Sequence, residues 1–338
     1  MDIRESYSRD LRIFDQWYKW SWFVLLAAAL LVYSQIGGYY AAYLLNLIFI
    51  NMIAAVGLNV LTGCAGLISL GHAAFMAIGA YTSTIITVKL SVPFWLALPM
   101  SGAMAGLIGF VVGLPSLRLT GIYLALATMA FGFIIDEIII QWHSVTGGAE
   151  GLSSLPPHIL GFVFDSYPKY CFITFISLSL VIFSAKNLLR GPFGRALAAI
   201  RDSETAAETM GVNLGWYKTL AFTLSAFYTG LAGSLYAHLI LFISTDNFTL
   251  LHSISYIVMI VVGGLGSLSG AVMGASFITL LPEMIAFSKD WLPAAIGNAA
   301  GLQAAVYGIV LMVFVILQPT GFYGLWIRAK IWWKTFPL

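Results

Sequence analysis

Apolar residues in this chain run on in long blocks, where an amphipathic helix would space them three or four apart and a half-buried strand would alternate them. A membrane-crossing helix needs about 20 mostly apolar residues. Blocks near that length occur at Trp20–Ile36, Tyr40–Leu61, Ser69–Leu90, Phe94–Leu114, Leu119–Gln141, Tyr170–Ala185, Thr219–Ile243, Leu251–Val262, Ser269–Phe287 and Leu302–Leu317. The pattern predicts an all-α, polytopic transmembrane helical bundle of about ten spans. Leu251–Val262 is too short to cross alone, and the Gly-rich join after it carries no charge. The Thr62–Leu70 join is uncharged too. If these joins are broken helices inside the membrane, the count falls to about eight or nine.

The polar interruptions set the orientation, because Lys and Arg accumulate in cytoplasmic loops. Lys186, Arg190, Arg195, Arg201 and Lys218 mark the 186–218 loop as inside, and Arg328, Lys330 and Lys334 do the same for the C-terminus. The 142–169 loop carries only Lys169 and the 288–301 loop only Lys289, so both read as outside. Ten crossings with both termini cytoplasmic satisfy all of these assignments. Residues 1–19 mix acidic and basic side chains, unlike the short positive start of a secretory leader, and read as a cytoplasmic tail. A single membrane domain then spans 20–325, followed by a cytoplasmic tail at 326–338. Trp20, Trp22, Trp326, Trp332 and Trp333 suit interfacial anchors.

Composition agrees: 60% of the 338 residues are hydrophobic and 9% charged, too few charges to cover a soluble globule. A net charge of +2 gives no footprint for nucleic acid. Cys64 and Cys171 lie in or beside apolar runs and read as small apolar fillers. Gly102, Gly106, Gly109 and Gly113 repeat along one span, and Gly266, Gly270 and Gly274 along another, a spacing that lets helix backbones approach closely in lipid. "GLISLGHA" (Gly66–Ala73) and "GLGSLSGA" (Gly264–Ala271) agree at five of eight positions, which fits either a duplicated half or chance among common membrane residues.

One stretch breaks the apolar pattern. "RDSETAAETMGVNLGWYK" (Arg201–Lys218) is polar and helix-prone. Asp202 or Ser203 can cap its N-terminus, and Thr205 and Glu208 have capping-box spacing. Asp202 and Glu204 suit the positive end of the helix dipole, and Gly211 stands where a left-handed C-terminal cap is expected. A helix of roughly two turns is marginal in water unless it docks. Ala206 and Ala207 offer a smooth face for that; an ordinary solvated loop is the alternative.

Here the sequence resembles a known family. Ala206-Ala207-x-x-x-Gly211 is similar to the coupling loop of ABC-importer permeases, with Thr205 where the motif has Glu. The stretches Gly191–His238, Gly57–Tyr81, Leu117–Leu152 and Val261–Ala275 resemble, in order, the M-type permease of branched-chain amino-acid ABC importers. The resemblance runs from about Tyr40 to Gly324. It implies an importer with a homologous second permease, two ATP-binding subunits and an external solute-binding protein, in a bacterial cytoplasmic (inner) membrane. It also implies that Arg195, Arg201, Asp202, Glu204, Ala206, Ala207, Glu208 and Gly211 meet an ATPase. A urea-transporting branch is similar enough to stand as an alternative. An ion-coupled secondary transporter also fits the composition, but would have no use for a coupling helix.

No Walker A loop is present, so no cofactor is expected in this chain; ATP and Mg belong to partner subunits. No nucleophile–base–orienter set is visible, so an enzyme is not expected. His72 and His238 lack further ligands at metal spacing and read as packing histidines. Asp136 and Glu137, near the outer end of their span, are read as reaching interfacial water, with a pathway role as the alternative, and Glu283 and His252 are similarly near span ends. Asn46, Asn51, Asn59, Thr62 and Ser69 read either as interhelical hydrogen-bonding groups or as a polar track. As a substrate pathway we expect Asn59, Thr62, Gly66, Ser69, Gly71, His72, Gly264 and Gly266, at the two uncharged joins where interrupted helices expose N–H groups.

Overall fold

The computed structural model describes residues 30, 32–115, 119–159, 162–289, 302–318 and 320–335. The expected tail 1–19, most of the Trp20–Ile36 span including Trp20 and Trp22, and most of the 288–301 loop lie outside the described residues. The rest is a helical bundle: α1 (Gly38–Leu58), α2 (His72–Val88), α3 (Phe94–Gly113), α4 (Ile122–Gln141), α5 (Tyr167–Arg190), α6 (Pro192–Asp202), α7 (Glu204–Thr209), α8 (Leu214–Ile240), α9 (Leu250–Gly263), α10 (Leu268–Lys289), α11 (Leu302–Leu317) and α12 (Gly321–Thr335). Among the described residues, seven stretches are long and apolar enough to cross a membrane: Gly38–Cys64, Phe94–Gly113, Ile122–Gln141, Tyr167–Arg190, Leu214–Ile240, Thr245–Gly263 and Leu268–Ala286. α2, with 17 residues, and α11, with 16, are apolar but shorter. The multi-pass helical class of the sequence reading therefore holds.

α8 is the hub. α3 lies antiparallel along it, and the α3 glycines make the contact. A Cβ on Gly102 would sit 2.9 Å from Leu231, one on Gly109 2.4 Å from Ala226, and one on Gly113 3.1 Å from the Thr219 backbone. On another side, α2 runs parallel to α8 and touches it backbone to backbone. A Cβ on Gly79 would fall 2.1 Å from the Gly230 carbonyl oxygen, and one on Gly233 2.0 Å from that of Met76. Lipid tails are as apolar as leucine, so dispersion from such close approach, together with interhelical hydrogen bonds, holds a bundle together. The hydrogen bonds are supplied by polar side chains inside the spans. Asn46 Nδ2 donates to the Tyr167 carbonyl at 2.9 Å and Thr174 Oγ1 donates to Asn46 Oδ1 at 2.7 Å, tying α1 to α5. Asn51 Nδ2 donates to Thr279 Oγ1 at 3.0 Å, tying α1 to α10. Of the two readings of this asparagine set, the structure shows hydrogen bonding between helices for Asn46 and Asn51.

The expected Ser69–Leu90 span is helical only from His72. α1 ends in a wider π-helical turn, Asn59–Cys64, and residues 66–71 follow an irregular, non-helical path before α2 begins. His72 meets α8 at Ser225, well inside the bundle. Non-helical backbone at such depth survives only if its polar groups find partners. They do: Leu67 N donates to the Leu61 carbonyl at 3.2 Å, Thr62 Oγ1 to the Leu67 carbonyl at 2.9 Å, and Leu70 N to Thr128 Oγ1 of α4 at 2.9 Å. The second uncharged join is a tight turn between α9 and α10. The segment before α9 supplies the length that Leu251–Val262 lacks, through the 3₁₀ turn Thr245–Phe248.

At the end opposite α6 and α7, Thr146-Gly147-Gly148-x-x-Gly151 folds into turns with left-handed φ at all three glycines. Thr146 Oγ1 closes them, donating to the Ile139 carbonyl at 2.6 Å. Strand β1 (Leu152–Ser153) then pairs antiparallel with β4 (Phe242–Ile243), and β2 (His158–Ile159) with β3 (Phe162–Val163). The C-terminal stretch, expected as a tail, is helical as α12. Phe322 joins Phe277 and Phe314 in a ring cluster that docks its start, while Trp326, Trp332 and Trp333 stay exposed.

Candidate functional site: the α6–α7 hairpin and the two glycine joins

The polar loop is mostly helix. Pro192 at the first position starts α6, and Ala196, Leu197 and Ile200 form its buried face. Arg195, on the exposed side, lies in α6, and so does Asp202, which therefore does not cap the next helix. Ser203 takes that role, its hydroxyl accepting from Ala206 N at 3.2 Å. The sequence left Asp202 and Ser203 open as caps and placed the helix at Asp202–Gly211; it is the shorter Glu204–Thr209.

Its C-terminus is fully closed. Gly211 has φ +83°, Gly211 N donates to the Glu208 carbonyl at 2.9 Å and Val212 N to that of Ala207 at 3.0 Å. This pair of bonds with a left-handed glycine is a Schellman cap. Ala207 faces inward, whereas Ala206, Glu208 and Met210 are exposed, Met210 at 86%. An ion pair with a buried lysine fastens the helix to α8: Lys218 Nζ lies 2.7 Å from Glu204 Oε2, with the lysine side chain 1% exposed and the glutamate 37%. Sequence reading used Lys218 only as a marker of the inside loop. A lysine four residues into an apolar helix carried no sign of burial.

Arg201 points back toward the bundle. Its Nη1 donates to the Gly63 carbonyl at 2.7 Å, at the end of α1. Asn59 Oδ1 accepts from Gly266 N at 3.0 Å, so the two joins touch each other beneath that arginine. A Cβ on Gly266 would lie 2.7 Å from Arg201 Nη1 and 3.0 Å from the Gly63 oxygen, and Gly266 has φ +79°. Gly66 and Gly264, the matching first residues of the two octets, both have positive φ, +73° and +114°. Of the expected pathway residues, Asn59, Gly66 and Gly266 thus gather around Arg201, with Gly264 beside them.

Ser69, Gly71 and His72 form a second group, deeper and closed. Ser69 and His72 are fully buried. His72 Nδ1 is 3.1 Å from Ser69 Oγ and Nε2 is 2.7 Å from Ser225 Oγ, which donates onward to the Gly57 carbonyl at 2.7 Å. Ser253 Oγ accepts from Ala73 N at 2.9 Å, so that N–H at the start of α2 is occupied. A Cβ on Gly71 would fall 2.4 Å from the Thr128 carbonyl oxygen, so bulk there separates α2 from α4 before it blocks any path. Thr62 stays local, bonded to Leu67. His238 has hydroxyl and carbonyl partners, Ser83, Ser154 and Leu155, as a packing histidine would. No cluster of metal-binding side chains occurs among the described residues.

Comparison with known proteins places this architecture. The family model described as branched-chain amino acid transport system / permease component matches residues 40–316. The high-affinity branched-chain amino acid transport system permease protein LivM of Escherichia coli is 34% identical over 277 residues, covering 75% of this chain and 65% of that protein. The probable branched-chain amino acid transport permease protein LivM of Methanocaldococcus jannaschii is 26% identical, covering 64% and 66%. The autoinducer 2 import system permease protein LsrC of Klebsiella pneumoniae is 28% identical, covering 58% and 54%. The chain thus spans about two-thirds of the length of the LivM proteins it matches. No solved structure matches it. With the match running from the first residues of α1 to the last turn of α11, the chain belongs to the branched-chain amino acid transport system permease family.

Proposed function

We propose that this chain is one of the two membrane halves of an ATP-driven importer that moves branched-chain amino acids inward across a bacterial cytoplasmic membrane. The family match over 40–316 carries the reading. The short, doubly capped α7 supports it, because a rigid polar helix tied by an ion pair to the buried Lys218 is suited to receive force from a soluble partner. In this reading a homologous permease completes the membrane part, two ATP-binding subunits hold ATP and Mg, and an external binding protein delivers the cargo. The α6–α7 end is cytoplasmic, the chain crosses about ten times and both termini are inside, in keeping with the Lys and Arg distribution. Arg195, Glu208, Ala206 and Met210 would meet the ATPase, and Arg201 would pass its movement to the joins at Gly63–Gly66 and Gly264–Gly266.

The test is gentle extraction of the tagged chain from its host, intact-complex mass spectrometry and uptake by the reconstituted complex. A second permease, two nucleotide-binding chains and ATP-dependent leucine uptake are expected. A lone chain taking up cargo on an ion gradient would sink the reading. Similarity to a permease named for autoinducer 2 import keeps a different small solute, urea included, as the second reading. Competition of labelled leucine by valine and isoleucine, but not by urea, decides between them.

A further inference from the structure

One turn of α2 beyond His72, on the side away from α6 and α7, a cavity of about 140 Å³ lies between α1, α2, α8 and α9. Its rim is polar: Tyr43 of α1, Tyr236 of α8, Asn247 of the 3₁₀ turn and His252 of α9. Its floor, further along α1 and α9, is Leu47, Met76 and Met259. Tyr256 closes that floor, its hydroxyl donating to Met76 Sδ at 2.8 Å. Met76, Tyr256 and Met259 are buried and His252 is exposed, so the cavity opens at the rim. The chain does not use up the rim's hydrogen bonds. Among the described residues, neither the Tyr43 hydroxyl nor the His252 ring has a hydrogen-bond partner. Asn247 Nδ2 reaches the Tyr236 oxygen only at 3.5 Å, which leaves the Tyr236 O–H to donate elsewhere. No Lys, Arg, Asp or Glu lines the cavity.

We infer that this cavity is a resting site for a small zwitterion with a branched apolar side chain, its charged end at the rim and its hydrocarbon on the floor. The size fits: a protein cavity of roughly 150 Å³ takes up benzene, so an isobutyl group fits here with its head group at the opening. Polar groups left unpaired at membrane depth are costly, and a ligand carrying both donors and acceptors relieves them. An ammonium has three donors and no acceptor, which suits the phenol oxygens of Tyr43 and Tyr236. A carboxylate only accepts, which suits the Tyr236 O–H, Asn247 Nδ2 and a ring N–H of His252. With no carboxylate and no Lys or Arg on the wall, an ion of net charge goes unbalanced, whereas the two charges of a zwitterion balance each other. The Tyr256–Met76 contact separates this site from the closed His72 group and has to part for cargo to pass. The inference rests on the import reading for the identity of the cargo.

Two arms test it on the intact complex. Ser255 is half-buried on the cavity wall. In the first arm, Ser255→Cys is labelled with N-ethylmaleimide and mass spectrometry of that peptide reads the rate. The cysteine should react, and leucine should slow the reaction severalfold. 3-Methylbutylamine and 4-methylpentanoate, each carrying one of leucine's two charges alone, should not. An unreactive cysteine, no protection by leucine, or equal protection by either ion overturns the assignment. In the second arm, Tyr43→Phe is added to Ser255→Cys. The leucine concentration for half-protection should rise about three- to tenfold, as for loss of one hydrogen bond, with the unprotected labelling rate unchanged. Half-protection at the same concentration overturns the polar rim and with it the proposal. Leucine uptake without protection sinks this site and leaves the import reading standing; protection without uptake does the reverse.

Discussion

α8 and α4 are both long apolar helices, yet the structure treats them oppositely. The α8 window is 67% buried and the α4 window 22%, although α8 is the less hydrophobic of the two. In water the ranking would be reversed. In lipid, hydrophobicity confers no preference for the interior, so residue size and hydrogen bonding decide. α8 offers Ser225, Ala226, Thr229, Gly230, Gly233 and Ser234, and its neighbours come within backbone distance. α4 presents Tyr123, Leu126, Phe133, Ile134 and Ile138, which stay exposed. The buried residues of α4 are few, Leu124, Ala125, Thr128 and Ile139, and Thr128 holds the start of α2.

The sharpest way to break this contrast is bulk on the α8 seam. Gly233→Leu should cost more than about 3 kcal/mol, because its contact is the unyielding Met76 carbonyl and overpacking of that kind is poorly relieved. Fluorescence-detected size exclusion should show little monodisperse chain; a normal peak would mean that α2 and α8 are not in backbone contact. Next comes the buried network. Ser225→Ala strips His72 Nε2 of its partner and should lower thermal stability in detergent by about 1–2 kcal/mol. An unchanged melting curve would remove that serine from the seam.

Gly211→Val moves the contrast to the α6–α7 end. A β-branched residue forced into left-handed φ costs about 1–2 kcal/mol locally, and transport-linked ATPase activity should fall while the bundle stays intact. Gly211→Asn, which tolerates that conformation better, should retain most coupling. Equal activity in the two variants would mean that the cap is not used. Smallest of all, Ile134→Leu on α4 should shift stability by less than about 0.5 kcal/mol in the isolated chain. If the same change weakens the assembled complex, α4 faces the second permease and not lipid.

Much was legible in the sequence because membrane helices are written in composition. Long apolar blocks marked the spans, Gly211 and Ser203 announced α7 by the conformations and bonds they favour, and the α3 glycine ladder foretold close packing. Lys218 was illegible, because its partner Glu204 sits across the α7–α8 turn. Arg201 read as an inside-loop charge and an ATPase contact, because nothing in its local sequence points to Gly63, 138 residues away. The Thr62–Leu70 join was legible as a possible break in the helix, but the start of α2 at His72 was not, since non-helical backbone in lipid depends on partners such as Thr128 that only the fold supplies.

By itself, then, the sequence determined the solvent, the helical class, the capped polar helix and the family resemblance. Each follows from residue type and short-range spacing: the cost of leaving peptide groups unpaired in hydrocarbon, and the φ values a glycine permits. Only the tertiary structure decided which apolar helix lies inside, where α2 starts, how the two glycine joins meet under Arg201, and that Lys218 pairs with Glu204. Those outcomes hang on contacts between residues far apart in the chain, and in lipid no difference in hydrophobicity forecasts them.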